Sequence, residues 1–227
     1  MILRANLDAV RTRIAQACAL AKRDPRDVAL IAVSKNHPTE SVRDVFQLGQ
    51  RVFGENRVQE LASKASALES LGVEWHMIGS VQTNKVKELL AVPGLALLHS
   101  LDRTKLADAL QARLGSSTRK LDCLLEVNAS GDANKHGVTT GDAANLLTHV
   151  ERECPALEIM GVMAMGPLAD DPMPTFTRVA RLRDDLAQTC GRPLPILSLG
   201  MSGDLEAAIA AGSTMVRVGT SIFGARV

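Results

Sequence analysis

Val28-Ala-Leu-Ile-Ala-Val-Ser-Lys35 is an apolar run with β-branched residues that stops on a lysine. Asp27 precedes it and Asn36-His37-Pro38 follows, so turn-forming residues bound it on both sides. A short run of this kind reads as a strand buried on both faces, as in parallel sheets covered by helices. Lys35 then stands at the strand's carboxyl end, where ligands gather in open α/β sheets and in α/β barrels. The plainer role for such a lysine is a solvated loop residue. The sharper one is a nucleophile toward carbonyl carbon.

The pattern around this stretch repeats. Upstream, Leu3, Leu7, Val10, Ile14 and Ala17 recur at helical spacing, which predicts an amphipathic helix before the first strand. Downstream, Pro38 suits the first turn of a second helix with Val42, Val45 and Phe46 on its buried stripe and Gly49 as its C-terminal cap. Further strands are expected at Arg51–Phe53, Glu74–Ile78, Leu95–Ser100, Leu121–Asn128, Glu158–Met165, Ile196–Met201 and Met215–Gly219. Helical patterns lie between them: Val58, Leu61, Ala65 and Leu68 follow the second strand, and Leu205, Ala208 and Ile209 precede the last. With Val28–Lys35 this makes eight βα units, which suits a (β/α)₈ barrel, a fold of about 250 residues that can run near 200. A doubly wound open sheet is the competitor, but its first βα turn often carries a glycine-rich phosphate fingerprint. Here Ser34-Lys-Asn-His-Pro38 occupies that turn without a glycine. No linker or shift in composition marks a boundary, so residues 1–227 are expected to form a single domain.

Composition narrows the function. The 227 residues carry 26 Lys and Arg against 25 Asp and Glu, a net charge of +1 that gives no support for a nucleic-acid or membrane-surface partner. Aromatic residues are 2% of the chain and tyrosine is absent, which excludes any mechanism that needs a tyrosine of this chain. Cys18, Cys123, Cys154 and Cys190 are far apart with no C-x-x-C, a pattern of reduced thiols in a cytoplasmic protein. The charged N-terminus does not read as a signal peptide, and no run reaches the roughly 18 apolar residues of a membrane span.

Functional residues of a barrel project from the carboxyl ends of its strands. Those ends hold Lys35, Glu55 and Asn56, Gly79–Asn84, Ser100 and Asp102, Asn128–Lys135, Met165 and Gly166, Gly200–Ser202, and Arg217–Thr220. Neither paired histidines nor a carboxylate cluster appears there, so no metal site is expected. Gly200-Met-Ser-Gly203 and Gly219-Thr-Ser221 follow the seventh and eighth strands, where barrels frequently hold a phosphate on backbone N–H groups. Ser202 alone would be only a helix N-cap, and Gly219 alone only a turn residue. Together, opposite Lys35, they describe a site for a phosphorylated carbonyl compound. Asp204 weighs against this unless its carboxylate turns away from the phosphate. Arg217 stays protonated, and beside a heteroaromatic nitrogen it would keep that nitrogen unprotonated. Its plainer role is a surface residue closing the strand.

Ala32-Val-Ser-Lys35, Phe53-Gly-Glu-Asn-Arg-Val-Gln-Glu60, Trp75-His-Met-Ile-Gly79 with Gln82-Thr-Asn-Lys85, Leu199-Gly-Met-Ser202 with Asp204, and Val216-Arg-Val-Gly-Thr220 with Phe223-Gly-Ala-Arg226 together resemble the YggS/PROSC family of pyridoxal 5′-phosphate homeostasis proteins. The resemblance runs nearly end to end. It implies a single (β/α)₈ TIM barrel of the alanine-racemase type, fold-type III among pyridoxal-phosphate (PLP) proteins, preceded by an N-terminal helix. It also implies PLP joined to Lys35 as an internal Schiff base, a covalent aldimine, with Ser202, Gly219 and Thr220 on the phosphate and Arg217 near the pyridine nitrogen. Asn56 would lie beside the ring, with His76 and Met201 close by. Asn36 and His37 depart from the residues frequent after the lysine, and Met77 replaces a common phenylalanine that packs the wall. His76 is also readable as a hydrogen-bonded core residue, and Lys135 and His136 as solvated or rim residues.

The implied function is to hold PLP on Lys35 and release it, with apo forms of PLP-dependent enzymes as recipients and the carrier itself a monomer. The alternatives are an amino-acid racemase on the same fold and a Schiff-base aldolase in which Lys35 attacks substrate directly. Racemases of this type take a second base, a tyrosine, from an additional C-terminal domain. This sequence has no tyrosine and stops at Val227, soon after the eighth strand, which favours the carrier.

Overall fold

The computed structural model describes residues 2–115, 120–129, 136–167 and 169–225. Helix α1 (Ile2–Leu20) comes first and buries Leu7, Val10, Ile14, Ala17 and Cys18, the stripe its spacing predicts. The strands are β1 (Ala29–Val33), β2 (Val52–Glu55), β3 (Glu74–Met77), β4 (Leu95–Leu101), β5 (Leu121–Asn128), β6 (Val138–Thr139), β7 (Leu157–Ala164), β8 (Ile196–Ser198) and β9 (Met215–Val218). They alternate with α2 (Thr39–Gln47), α3 (Val58–Ala67), α4 (Val86–Leu90), α5 (Thr104–Leu114), α6 (Ala143–Glu153), α7 (Pro172–Cys190), α8 (Leu205–Ala210) and α9 (Thr220–Phe223).

All strand pairs are parallel, and the order β4-β3-β2-β1-β9-β8-β7-β5 is closed by pairing of β4 with β5. Two-residue β6, which periodicity does not signal, adds only to the end of β5, where Val127 pairs with Val138. The result is the expected eight-stranded (β/α)₈ barrel with an N-terminal helix.

Five strands end short of expectation, three of them by one residue; β1 and β8 stop two and three residues early for local reasons. β1 stops at Val33 because the chain turns at Asn36, whose φ of 61° lies in the left-handed region that few side chains adopt. β8 stops at Ser198 because Gly200 takes a φ of 88° and packs against α8, where a Cβ would stand 2.5 Å from the Ala208 Cβ. The loop after it also corrects the expected cap. Ser202 does not cap α8; Asp204 precedes the helix, and its Oδ1 accepts from the Met201 N–H at 2.6 Å. Pro38 likewise sits just before α2, at its cap, and Gly49 follows with a φ of 90°.

Alternation along each strand separates two apolar regions. Outward residues such as Phe53, Trp75, Met77, Leu98 and Leu125 join the helices in the large core. Met77 is therefore part of the helix packing, and its departure from phenylalanine touches that packing instead of a cavity wall. Inside the barrel, Leu97, Leu124 and Met163 pack with Met160, Ile196 and Met215. Glu126, Ser198 and Arg217 lie beyond this plug, toward the carboxyl ends of their strands. All four cysteines are free thiols.

Candidate functional site

A cavity of about 410 Å³ opens at the carboxyl ends of the strands. Its lining includes Lys35, Asn56, Met201, Ser202, Arg217, Gly219 and Thr220, seven of the eight residues that sequence and resemblance single out. The eighth, His76, is buried lower in the barrel, where its Nδ1 lies 2.9 Å from His99 Nε2. His136 stands exposed on the cavity's lining, whereas Lys135 and Arg226 lie outside the described residues.

Lys35 follows β1 and is half-buried. Its neighbours on both sides are gripped from behind the barrel wall. Lys64 of α3, 4% exposed, donates to the Ser34 carbonyl, Glu55 Oε1 and Glu60 Oε1, each at 2.7 Å. Ser34 Oγ donates to Glu55 Oε1 at 2.7 Å, and Glu60 Oε1 accepts from the Asn36 N–H at 2.7 Å. Burial pushes the Glu55 carboxyl up, against the opposing effects of Lys64 and Ser34. Glu55, at a strand end, thus points into this network and away from the cavity.

Asn56, next along, holds its place because β2 and β3 approach closely: a Cβ on Gly79 would stand inside the Asn56 carbonyl group. The Asn56 side-chain oxygen is buried and without a hydrogen-bond partner. His37 lines the same wall and stacks on Phe223, ring centroids 5.1 Å apart.

Arg217 forms the floor, 5% exposed. Nη1 donates to the Ser198 carbonyl at 2.8 Å and Ser198 Oγ at 2.7 Å, and Nη2 to the Ala164 carbonyl at 3.0 Å. Burial lowers its pKa to about 10, with Asp204 and Glu126 opposing, so it remains a cation at neutral pH.

The corners after β8 and β9 are backbone structures tied to α1. Arg13 donates to the Ser202 carbonyl at 3.0 Å while pairing with Glu206, and Asn6 donates to the Ile222 carbonyl at 2.9 Å. In α9 the Gly219 carbonyl accepts from Ile222 and Phe223, which leaves the N–H groups of Thr220 and Ser221 without an intrahelical acceptor. A Cβ on Gly203 would meet nothing within 4 Å. Asp204 is not among the lining residues, and its Oδ1 is turned onto the loop's own backbone, while its charge acts on Arg217 at the floor.

Sequence reasoning missed Glu126 of β5. It lines the cavity 4% exposed, its Oε2 has no partner, and burial, reinforced by Asp102 and opposed by Arg217, pushes its pKa up to about 7. The available signal was the second acid of Leu121-Asp-Cys-Leu-Leu-Glu-Val-Asn128, set among apolar residues two positions before the strand end.

The cavity suits PLP: a lysine, a buried guanidinium, orphaned oxygens on Asn56 and Glu126, and open backbone corners with free N–H donors. The chain belongs to the alanine racemase N-terminal domain family, whose model it matches over residues 4–227. Within that family it groups with the pyridoxal phosphate homeostasis proteins. One of these, from Aquifex aeolicus, is 41% identical over 97% of this chain and 96% of its own length. Another, from Homo sapiens, is 40% identical over 97% of this chain and 85% of its own. Among solved structures, PipY of Synechococcus elongatus with PLP bound is similar at 34% identity and a TM-score of 0.80, covering 93% of this chain and 100% of that one.

Proposed function

We propose that this protein binds pyridoxal 5′-phosphate through a covalent bond from Lys35 and serves PLP homeostasis by holding and releasing it, with residues 1–227 acting as one domain. The observation that carries this reading is the cavity that brings Lys35, Arg217 and the corners at Ser202 and Gly219 together. Bound PLP supplies an aldehyde carbon open to attack by an amine. Lys35 Nζ would be the nucleophile, its bond to that carbon formed with loss of water, and the network through Ser34 and Asn36 orients the backbone that carries it. Thr220, Ser202 and the free N–H groups of the α9 turn would hold the phosphate. Arg217, fixed by three acceptors, would donate to the ring nitrogen without giving up its proton. Asn56 would lie beside the ring and Met201 at the mouth, with His76 below.

The names of the relatives support a carrier, and none of the 227 residues is a tyrosine that could serve as the second base of the racemases. Recipients are apo-enzymes that use PLP, and the carrier works as a monomer in the cytoplasm. No helix among the described residues is long and apolar enough to cross a membrane. A second reading, an amino-acid racemase or a related enzyme, draws on Glu126, a carboxyl of the cavity with a pKa near the operating pH. The deciding experiment incubates PLP-loaded protein with an apo-enzyme and, in parallel, with single amino-acid enantiomers. Reactivation of the apo-enzyme without racemisation is expected. Turnover in the usual enzymatic range of roughly 1 to 1,000 per second overturns the carrier.

A further inference from the structure

A line of polar side chains crosses the barrel interior beneath the cavity. Arg217 Nη1 on β9 lies 2.7 Å from Ser198 Oγ on β8, and Ser198 Oγ lies 3.1 Å from His99 Nδ1 on β4. His99 Nε2 is 2.9 Å from His76 Nδ1 on β3, and His76 Nε2 is 3.2 Å from Glu74 Oε1. The first four residues are buried, but the Glu74 side chain is 50% exposed at the amino end of β3, on the face away from the cavity. Burying polar groups in a barrel interior is costly unless each finds a partner.

Counting protons gives the line a direction. A guanidinium only donates, so Ser198 Oγ accepts from Arg217. Burial, with the charges of His76 and Arg217, holds the His99 pKa well below the ordinary imidazole value, so His99 is neutral with one N–H. The hydrogen bond from His76 lowers the Glu74 pKa, so Glu74 is a carboxylate and only accepts. Neutral His76 must therefore carry its proton on Nε2 and accept at Nδ1 from the His99 Nε2–H. His99 Nδ1 then accepts from the Ser198 hydroxyl, and all four contacts have one donor and one acceptor.

We propose that Ser198, His99, His76 and Glu74 form a directional hydrogen-bond relay that positions Arg217 under the cavity. Ser198, His99 and His76 are positioning residues, acting through Arg217. The charged and titratable groups around the line are Glu74 on β3, His99 on β4, Glu126 on β5, Arg217 on β9 and Asp204 near Arg217. β2 and β7 face the interior with Gly54 and Met163. The link to PLP rests on the function proposed above; the proton order does not.

The test has two arms. In cofactor-free protein, proton–nitrogen spectra of the imidazoles should show His99 with its proton on Nε2 and a bare Nδ1, and His76 with a proton on Nε2. A His99 that holds its proton on Nδ1 overturns the relay. In the second arm, His99→Leu should weaken PLP binding about tenfold and shift the absorption of bound PLP. His99→Gln, which can accept through Oε1 and donate through Nε2, should restore both. Wild-type affinity and spectrum in a folded His99→Leu overturn the positioning role. Failure of the wild-type protein to bind PLP at all overturns the function proposed above and leaves the imidazole spectra to decide the relay.

Discussion

The cavity's two ends are held by different chemistry. Behind Lys35, a buried ionic cluster of Lys64, Glu55 and Glu60 fixes the peptide groups on either side of the lysine. At the Ser202 and Gly219 corners loop backbone lines the cavity, and half-exposed Arg13 and Asn6 of α1 steady it from outside. A buried charge cluster is intolerant, because removing one partner strands another charge out of water. Exposed tethers are forgiving, since water replaces what is lost. A nucleophile has to be held within a fraction of an ångström, which suits the first arrangement. A doubly charged phosphate is satisfied by several N–H groups at once, which suits the second.

The largest effect should come from Lys64→Met. It leaves Glu55, 0% exposed, without its cation, and should cost about 3–5 kcal/mol in urea unfolding. Adding Glu55→Gln should recover part of that loss. A Lys64→Met protein as stable as wild type would mean that the cluster does not hold the Lys35 end.

Glu126 comes next, through pH. Its pKa is about 7 in the folded protein, against 4.5 ordinarily, so the folded state keeps a proton that the unfolded chain has lost. Between those two values stability falls as pH rises, by roughly 3 kcal/mol in all, and above the upper one this contribution is level. Glu126→Gln should abolish that slope and exceed wild type in stability above pH 7 while matching it near pH 4. Parallel pH–stability curves for the two proteins would show that Glu126 is ordinarily ionised.

The smallest effect belongs to Arg13→Ala. Its side chain is 35% exposed and that of Glu206 50%, so their pair is worth up to about 1 kcal/mol. Thermal stability should change little, and phosphate affinity by a few-fold at most. A large loss of phosphate affinity would show that the two ends of the cavity are built alike.

Much of the barrel was legible because βα alternation is a periodic signal: apolar runs such as Val28–Val33 and the α1 stripe report burial directly. The corners were legible only in combination, since Ser202 alone reads as a cap and Gly219 alone as a turn residue, but both stand at successive strand ends opposite Lys35. Lys64, Glu126 and His99 were not, since each is a polar residue inside an apolar pattern and sequence alone does not tell which face it takes. Lys64 lies three residues after Leu61 on the buried face of α3, and the expected stripe of Val58, Leu61, Ala65 and Leu68 passes beside it. His99 stands in the apolar β4, and its partners come from β3 and β8, remote in sequence. The plainer role of Ser202, a cap, falls away because Asp204, two residues on, fills that position.

The most direct test of the central claim is to load the protein with PLP, reduce it with borohydride and map the added mass by peptide sequencing. The predicted result is a visible absorbance that bleaches, with the label on Lys35 alone and no labelled peptide from Lys35→Ala. A label on another lysine, or the same bleaching absorbance in Lys35→Ala, would contradict the assignment of Lys35 as the residue that holds the cofactor.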